Sequence, residues 1–313
     1  TGCCVGNHHC SRCSSVMRQT GGSYLCPRRK KIHFGIKKTK TRSRTCCKDD
    51  LVKHPLILDI LCLFLQVTCN SFTISDGEMQ DVGVGLYPSM SLLNHSCDPN
   101  CVIVFEGKCL HLRTVKEIPK GEELTISYID VMMPTRQRQN QLKRQYCFTC
   151  DCHRCLTGDK DKDMLAGDEQ ASKSMEMALA SLKELQSQNK VLAMCKALLT
   201  SSQLPDRNIH QLKVLDSAMD ACIKLGLWEE ALLFGLRTLQ PYSLYYSDYH
   251  PVKAIQMMKV GKLQHYHGIF HDAMVTLKQA FNVMKITHGE NHTIMKDLTE
   301  LLEDCTSAIS ASR

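Results

Sequence analysis

Three thiols fall within six residues at Cys150-Asp151-Cys152-His153-Arg154-Cys155. Side chains so close along the backbone can close around a single ion, and that closure fixes the path of everything near them. Tetrahedral zinc takes four donors, so a further ligand has to arrive from elsewhere. Cys97, in the run Asn94-His95-Ser96-Cys97-Asp98-Pro99-Asn100-Cys101, is the candidate, with Cys147 and His153 as local alternatives. A zinc ion held by four thiolates has no open coordination position. It would staple loops together and would not activate water.

The chain has 19 cysteines in 313 residues. Its N-terminus lacks the ordered basic, apolar and small-residue regions of a secretion signal, so an intracellular setting is expected. There the reducing milieu favours metal ligation or simple burial over disulfides. The longest apolar stretch, Leu56 to Val67, is interrupted by Asp59 and falls short of the ~20 residues of a membrane span. No membrane partner is expected. A hydrophobic content of 43% suits a soluble chain of about two domains.

Charge is unevenly distributed. Residues 1 to 48 contain twelve Lys or Arg and no acid, which leaves the remainder net acidic. A basic arm of this kind suits nucleic acid, an acidic protein surface or an import receptor, and a solvated tail is the plain reading. Residues 1–50 also hold seven cysteines with little apolar periodicity, so this segment needs metal to fold alone. It carries no domain assignment, and a degenerate zinc finger is one reading of it.

Downstream, Leu56 to Gln66 is expected as a buried helix. Strands follow at Phe72 to Ile74, Val82 to Leu86, Cys101 to Phe105, Cys109 to Val115 and Leu124 to Tyr128, with turn signals at Asp98-Pro99, Glu106-Gly107 and Lys120-Gly121. Thr135 to Gln145 is expected as a basic helix, and Gly158 to Glu169 as a charged linker. From about Ala171 the spacing of Leu, Met and Ala becomes helical and stays so. Within this half, Leu225-Gly226-Leu227-Trp228-Glu229-Glu230-Ala231 is echoed by His267-Gly268-Ile269-Phe270-His271-Asp272-Ala273, with Gly and Ala recurring 42 residues apart. A helix-ending Gly, an aromatic and a close-packing Ala are what a helix-turn-helix solenoid requires. The period exceeds that of tetratricopeptide repeats, so the domain is read as tetratricopeptide-like.

The order of motifs is more specific than any one of them. Asn94-His95-Ser96-Cys97 is followed by Gly121-Glu122-Glu123-Leu124-Thr125-Ile126-Ser127-Tyr128 and then by the Cys-x-Cys-x-x-Cys cluster. This combination resembles the SET-domain lysine methyltransferases, and in detail the SMYD (SET and MYND domain) family. The resemblance runs from Cys69-Asn70-Ser71-Phe72 through Cys155 and on through the helical half. It implies an α+β fold: a SET domain C-terminal part at residues 51–130, irregular and β-rich, then a post-SET zinc-binding segment at 131–156. A linker at 157–170 and an all-α tetratricopeptide-like domain at 171–313 complete it. The family's glycine-containing N-terminal strand-loop and its MYND finger are not recognisable in residues 1–50.

Carried over residue by residue, the resemblance implies that Asn94 and His95 bind S-adenosylmethionine, with Asn70, Ser91, Leu93 and Tyr128 nearby and Phe148 beside the adenine. It implies Tyr128 as the catalytic tyrosine. Phe72, Ile126 and Tyr146 would line the channel for the target lysine, and Cys97, Cys150, Cys152 and Cys155 would hold structural Zn2+. The implied activity is methylation of lysine on histones or other proteins, in nucleus and cytoplasm, by a monomer. A catalytically inactive scaffold that binds protein partners through its helical domain is the alternative. Physical chemistry suits the enzymatic reading. A channel aligning nitrogen and methyl carbon supplies positional advantage, and apolar aromatic walls lower the pKa of a lysine from about 10.4.

Overall fold

A computed structural model describes residues 55–311. The expectations for residues 1–50, a degenerate zinc finger and a nucleic-acid contact, lie outside the described residues. The chain divides into two compact units. One takes in the described residues up to Ile74 together with Asp81–Asn94, and the other Ser75–Gln80 together with His95 onward.

The first unit contains helix α1 (Pro55–Asn70) and the two-stranded sheet of β1 (Ser71–Ser75) and β2 (Asp81–Leu86). Its helix forms where the apolar run predicts one, but the expected burial does not follow. Ile60 is 56% exposed and Phe64 65%, and Leu63 and Leu65 are exposed as well. An apolar run favours helix locally, whereas burial needs a second layer that the run itself cannot specify. At the end of α1 the Ser91 hydroxyl donates to the Asn70 carbonyl at 3.3 Å. The Phe72 ring meets Tyr87 edge-on at 5.9 Å.

The short strand β3 (Asn94–His95) straddles the boundary, and the β-rich part of the second unit continues with the hairpin of β4 (Cys101–Glu106) and β5 (Cys109–Thr114). The hairpin is antiparallel, with Glu106 opposite Cys109 and Cys101 opposite Thr114. Along β4, Cys101, Val102, Val104 and Phe105 are all buried, as suits a strand covered on both faces. The strand expected over Leu124 to Tyr128 shortens to β6 (Thr125–Ile126). Asn100 explains this, because its side chain supplies the partners a ladder would have supplied. The Thr125 N–H donates to Asn100 Oδ1 at 2.8 Å, and Asn100 Nδ2 donates to the Glu123 carbonyl at 2.9 Å.

Helix α2 (Thr135–Tyr146) carries the chain to the cysteine cluster, and the short helices α3 (His153–Thr157) and α4 (Asp161–Met164) follow. Within 157–170, expected as a linker, Met164 is fully buried and packs with Val131, Ile209, Tyr242 and Tyr245. The Asp161 carboxylate accepts from the Thr135 N–H at 2.9 Å, at the start of α2.

Seven helices complete the unit: α5 (Glu169–Lys183), α6 (Gln188–Ser201), α7 (Ile209–Leu225), α8 (Trp228–Tyr245), α9 (Pro251–Tyr266), α10 (Phe270–Thr287) and α11 (Thr293–Ala311). The internal echo has a structural counterpart. Gly226 and Gly268 end α7 and α9 with φ of +73° and +72°, a left-handed conformation that glycine adopts at no steric cost. Ala231 and Ala273 sit fully buried one turn into α8 and α10. One apolar cluster, with Leu192, Val214, Met219 and Val260, spans the first helices. A second, with Met258, Leu277, Met284 and Leu298, spans the last. Polar contacts tie the helical part to the β-rich part, two of them through the segment between α10 and α11. The buried His292 ring meets the Phe105 carbonyl at 3.0 Å, and the Arg113 guanidinium donates to the His288 carbonyl at 3.2 Å.

Candidate active site and metal centre

Helix α2 delivers the first half of the site. It ends at Cys147, in a left-handed conformation with φ of 61°, and the chain doubles back toward Cys150. Gln139 holds that return at two points: the Cys150 N–H donates to its Oε1 at 2.9 Å, and its Nε2 donates to the Cys150 carbonyl at 2.6 Å. Cys152 then stands at the N-terminal cap of α3, where its carbonyl accepts from the N–H groups of Cys155 and Leu156. One tight turn therefore presents both thiols on the same side.

Cys97 completes the group from the loop after β3. The four sulfur atoms of Cys97, Cys150, Cys152 and Cys155 all lie within 4.8 Å of one another, and those of Cys97 and Cys155 are 3.5 Å apart. Four sulfurs at ~2.3 Å from a tetrahedral zinc are themselves ~3.8 Å apart, so this donor set fits the ion. Cys147 and His153, the local alternatives, are both exposed and stand outside the cluster. Burial and the neighbouring Cys155 push the Cys97 thiol up strongly, and burial pushes Cys150 up to about 11. Cys152 moves the other way. Burial opposes its thiolate, but the backbone N–H groups of Cys97 and Cys155 outweigh that effect.

His95 links this cluster to the tyrosine. The Tyr128 N–H donates to His95 Nδ1 at 3.0 Å, which places the ring proton on Nε2. That nitrogen faces Cys97 Sγ at 3.3 Å and donates to it. Burial, with the positive Arg138 nearby, lowers the His95 pKa to about 4, so the ring is neutral and keeps this tautomer.

Around Tyr128 stand three further rings, with centroid distances of 4.9 Å to Tyr146, 5.2 Å to His95 and 6.4 Å to Phe148. The Tyr146 hydroxyl donates to the Tyr128 carbonyl at 3.4 Å. Burial, then Tyr146 and Glu123, push the Tyr128 phenol up to about 12. Its hydroxyl stays protonated at neutral pH and is suited to orienting a partner, not to removing a proton. Ile126, two residues earlier, is buried at 2% exposure. Of the residues named from the sequence, His95, Ile126, Tyr128, Tyr146, Phe148 and the four cysteines belong to the second unit. Asn70, Phe72, Ser91, Leu93 and Asn94 belong to the first.

Sequence reasoning missed Gln139, Arg138 and Arg154. Arg138 is fully buried and Arg154 nearly so. Arg138 donates to the Met133 carbonyl at 2.5 Å, to Thr135 Oγ1 at 2.9 Å and to Cys155 Sγ at 3.7 Å. Arg154 donates to the carbonyls of Val131 at 2.9 Å and Cys97 at 3.4 Å. A signal was available in α2, whose one aliphatic residue is Leu142. Positions three and four earlier, Gln139 and Arg138, share its inward face. Tyr246 was missed too. Its hydroxyl donates to Asp130 Oδ1 at 3.1 Å, and its ring stacks on His250 at 4.2 Å.

Comparison with known proteins places this arrangement. The SET domain model matches residues 7–129, a span that takes in most of the segment left unassigned above. The human histone-lysine N-methyltransferase SMYD3 is 55% identical over 268 residues, covering 84% of this chain and 63% of the relative. The mouse SMYD3 protein matches equally well. The human N-lysine methyltransferase SMYD2 is 34% identical over 262 residues, covering 78% of this chain and 60% of the relative. The chain thus spans about 60% of the length of these curated relatives. With the four-cysteine centre joined through His95 to Tyr128 and followed by a helical domain, these matches establish that the chain belongs to the SMYD family of SET-domain proteins.

Proposed function

We propose that this chain is a protein-lysine methyltransferase that uses S-adenosylmethionine, with Tyr128 as its catalytic residue. The observation that carries the reading is the placement of Tyr128. Its hydroxyl is protonated, its ring is walled by Tyr146 and Phe148, and its backbone is anchored through His95 to Cys97.

S-adenosylmethionine, when bound, supplies an electrophilic methyl group carried on a sulfonium. The donor set suits such a molecule, since Asn94 is exposed and offers an amide, and Phe148 is a half-buried ring beside His95. Asn94 and His95 would hold it, with Asn70, Ser91 and Leu93 in support and Phe148 beside the adenine. Phe72, Ile126 and Tyr146 are the residues proposed to receive the lysine stem. The lysine must arrive at reaction neutral, and aromatic walls that exclude water disfavour its charged form. The Tyr128 hydroxyl then orients the amine along the transfer axis, which is where most of the advantage of a bound reaction lies. Zinc has no chemical role in this scheme. Cys97, Cys150, Cys152 and Cys155 would hold it so that the end of α2 with Tyr146 and the loop bearing Phe148 keep their place.

The substrate class is lysine on histones or other proteins, in nucleus and cytoplasm, with the chain acting as a monomer. The helical domain, read as tetratricopeptide-like, is a surface for a protein partner, and the basic segment one for nucleic acid. Labelled methyl transfer to mixed histones tests the reading. Tyr128→Phe is expected to abolish or sharply reduce transfer while thermal stability stays nearly unchanged. Full transfer by the variant would remove Tyr128 from the mechanism. Calorimetric titration with S-adenosylhomocysteine supplies the companion measurement. Micromolar binding supports the enzyme, and no binding by the folded, zinc-loaded chain would leave a scaffold.

A further inference from the structure

We infer that Arg138 and Arg154 are the counter-charge of the metal centre, two buried guanidiniums that balance a zinc ion held by four thiolates. The inference rests on reading the four-cysteine cluster as a zinc site. It goes further by fixing the charge of that site and naming the residues that make it tolerable.

Arg138 is fully buried and Arg154 is 6% exposed. A guanidinium does not shed its proton in a protein, so both are charged, and a buried charge needs an opposite one. Neither arginine has a carboxylate within ion-pair distance among the described residues. Asp98 pairs with Lys116 at 2.7 Å, and Asp151 and Asp159 are exposed. The carbonyls of Met133, Val131 and Cys97 satisfy guanidinium N–H groups but carry no net charge. Arg138 is moreover the fourth residue of α2, next to the positive end of the helix dipole, which makes its position less favourable still. What does lie against it is sulfur, with Nη2 at 3.7 Å from Cys155 Sγ.

Formal charge then decides the donor state. Four neutral thiols would leave two buried positive charges, offset only by the pull of the more distant, exposed Asp159 and Asp98 on Arg154. Zinc with four thiolates carries two net negative charges, which the two guanidiniums cancel. One imidazole in place of a thiolate would leave one positive charge over. The arginines thus select a centre made of thiolates alone. Hydrogen bonds to sulfur also draw charge from the thiolates and oppose their protonation, the usual work of groups just outside a metal's ligands.

The test follows zinc, not activity. The zinc-loaded chain and its Arg138→Met, Arg154→Met and Arg138→Lys variants are challenged with the chromophoric chelator 4-(2-pyridylazo)resorcinol. Each Met variant is expected to lose zinc affinity by about tenfold or more, while Arg138→Lys, which keeps the charge, stays much closer to the parent. Met variants that hold zinc as tightly as the parent overturn the inference. So does a Lys variant as weak as Met, which would assign Arg138 to packing alone. Should Arg138→Met fail to fold, Cys152→His on that background removes one negative charge and is expected to restore a folded, zinc-loaded chain. Failure to restore it counts against the charge argument. A parent chain whose zinc content is unchanged by Cys150→Ser would instead sink the zinc reading, a result distinct from every other.

Discussion

The cysteine corner and the helical half of the second unit bury their side chains by opposite chemistry. Around the corner, four sulfurs, two guanidiniums and the Gln139 amide share a small volume with Leu142 and Ile129. In the helical half most of the interior is Leu, Met, Ala and Val, with a few polar side chains such as Gln256 and Thr238 hydrogen-bonded to one another within it. The first depends on a balance of charge that an ion completes, the second on volume. A corner of the first kind can hold one side chain in one place with very little chain, and Tyr128 is held there through His95. A core of the second kind cannot aim a residue so finely, but it tolerates loss of any one contact more gradually.

The largest effect that separates the two belongs to Cys150→Ser. It is expected to release one equivalent of zinc, and with it the methyl transfer proposed for the chain, while far-UV circular dichroism keeps most of the helical signal. Loss of helix in parallel would mean that the two regions are not distinct in this way. Next comes Leu277→Ala, at a fully buried position of α10. Denaturant unfolding should record a loss of ~2–5 kcal/mol from removed contacts and the cavity left behind, with zinc affinity untouched. A matching fall in zinc affinity would mean that the helical core and the cysteine corner are coupled.

A smaller effect is expected where the helical half meets the hairpin. Gly289 has φ of +85°, and a Cβ there would run into the Arg113 guanidinium. Arg113 is a flexible side chain that can yield, so the cost of Gly289→Ala is mainly the left-handed backbone, ~1–2 kcal/mol, read from the shift in denaturant midpoint. A further effect is a slope with pH. Burial raises the Asp216 carboxyl, which accepts from the Tyr242 hydroxyl at 3.1 Å, to about 7 from the ordinary 3.8. Between about pH 4 and pH 7 the folded chain therefore binds a proton that the unfolded chain does not. This group's contribution to stability falls as pH rises through that window. Asp216→Asn should remove that part of the slope in melting temperature against pH, and an unchanged slope would reassign it.

How much of this was legible in the sequence differs between the same two regions. Helices α5 to α11 follow from the spacing of Leu, Met and Ala, and the 42-residue echo located the glycines that end α7 and α9. Spacing found three of the four cysteines in the corner, while local reading left Cys147 and His153 open beside Cys97. The choice depends on where the Gln139 clamp and the end of α2 turn the chain, a tertiary fact. Arg154 was illegible for a related reason, since an arginine beside Cys155 looks solvent-facing until an anionic neighbour is known, whereas the spacing to Leu142 put Arg138 on the inward face of α2 without saying what would balance its charge. The exposed apolar residues of α1 mark the opposite failure, since hydrophobicity there predicted burial without a layer to provide it.

Whether Cys97, Cys150, Cys152 and Cys155 form one zinc centre of thiolates alone is decided by zinc-edge X-ray absorption. Spectra and metal content would be recorded for the purified chain and for Cys150→Ser. The variant is expected to lose one equivalent of zinc, with a difference spectrum that reports four sulfur neighbours at about 2.3 Å. Equal zinc content in both chains, or a difference signal with nitrogen or oxygen neighbours, would rule out a centre of these four thiolates.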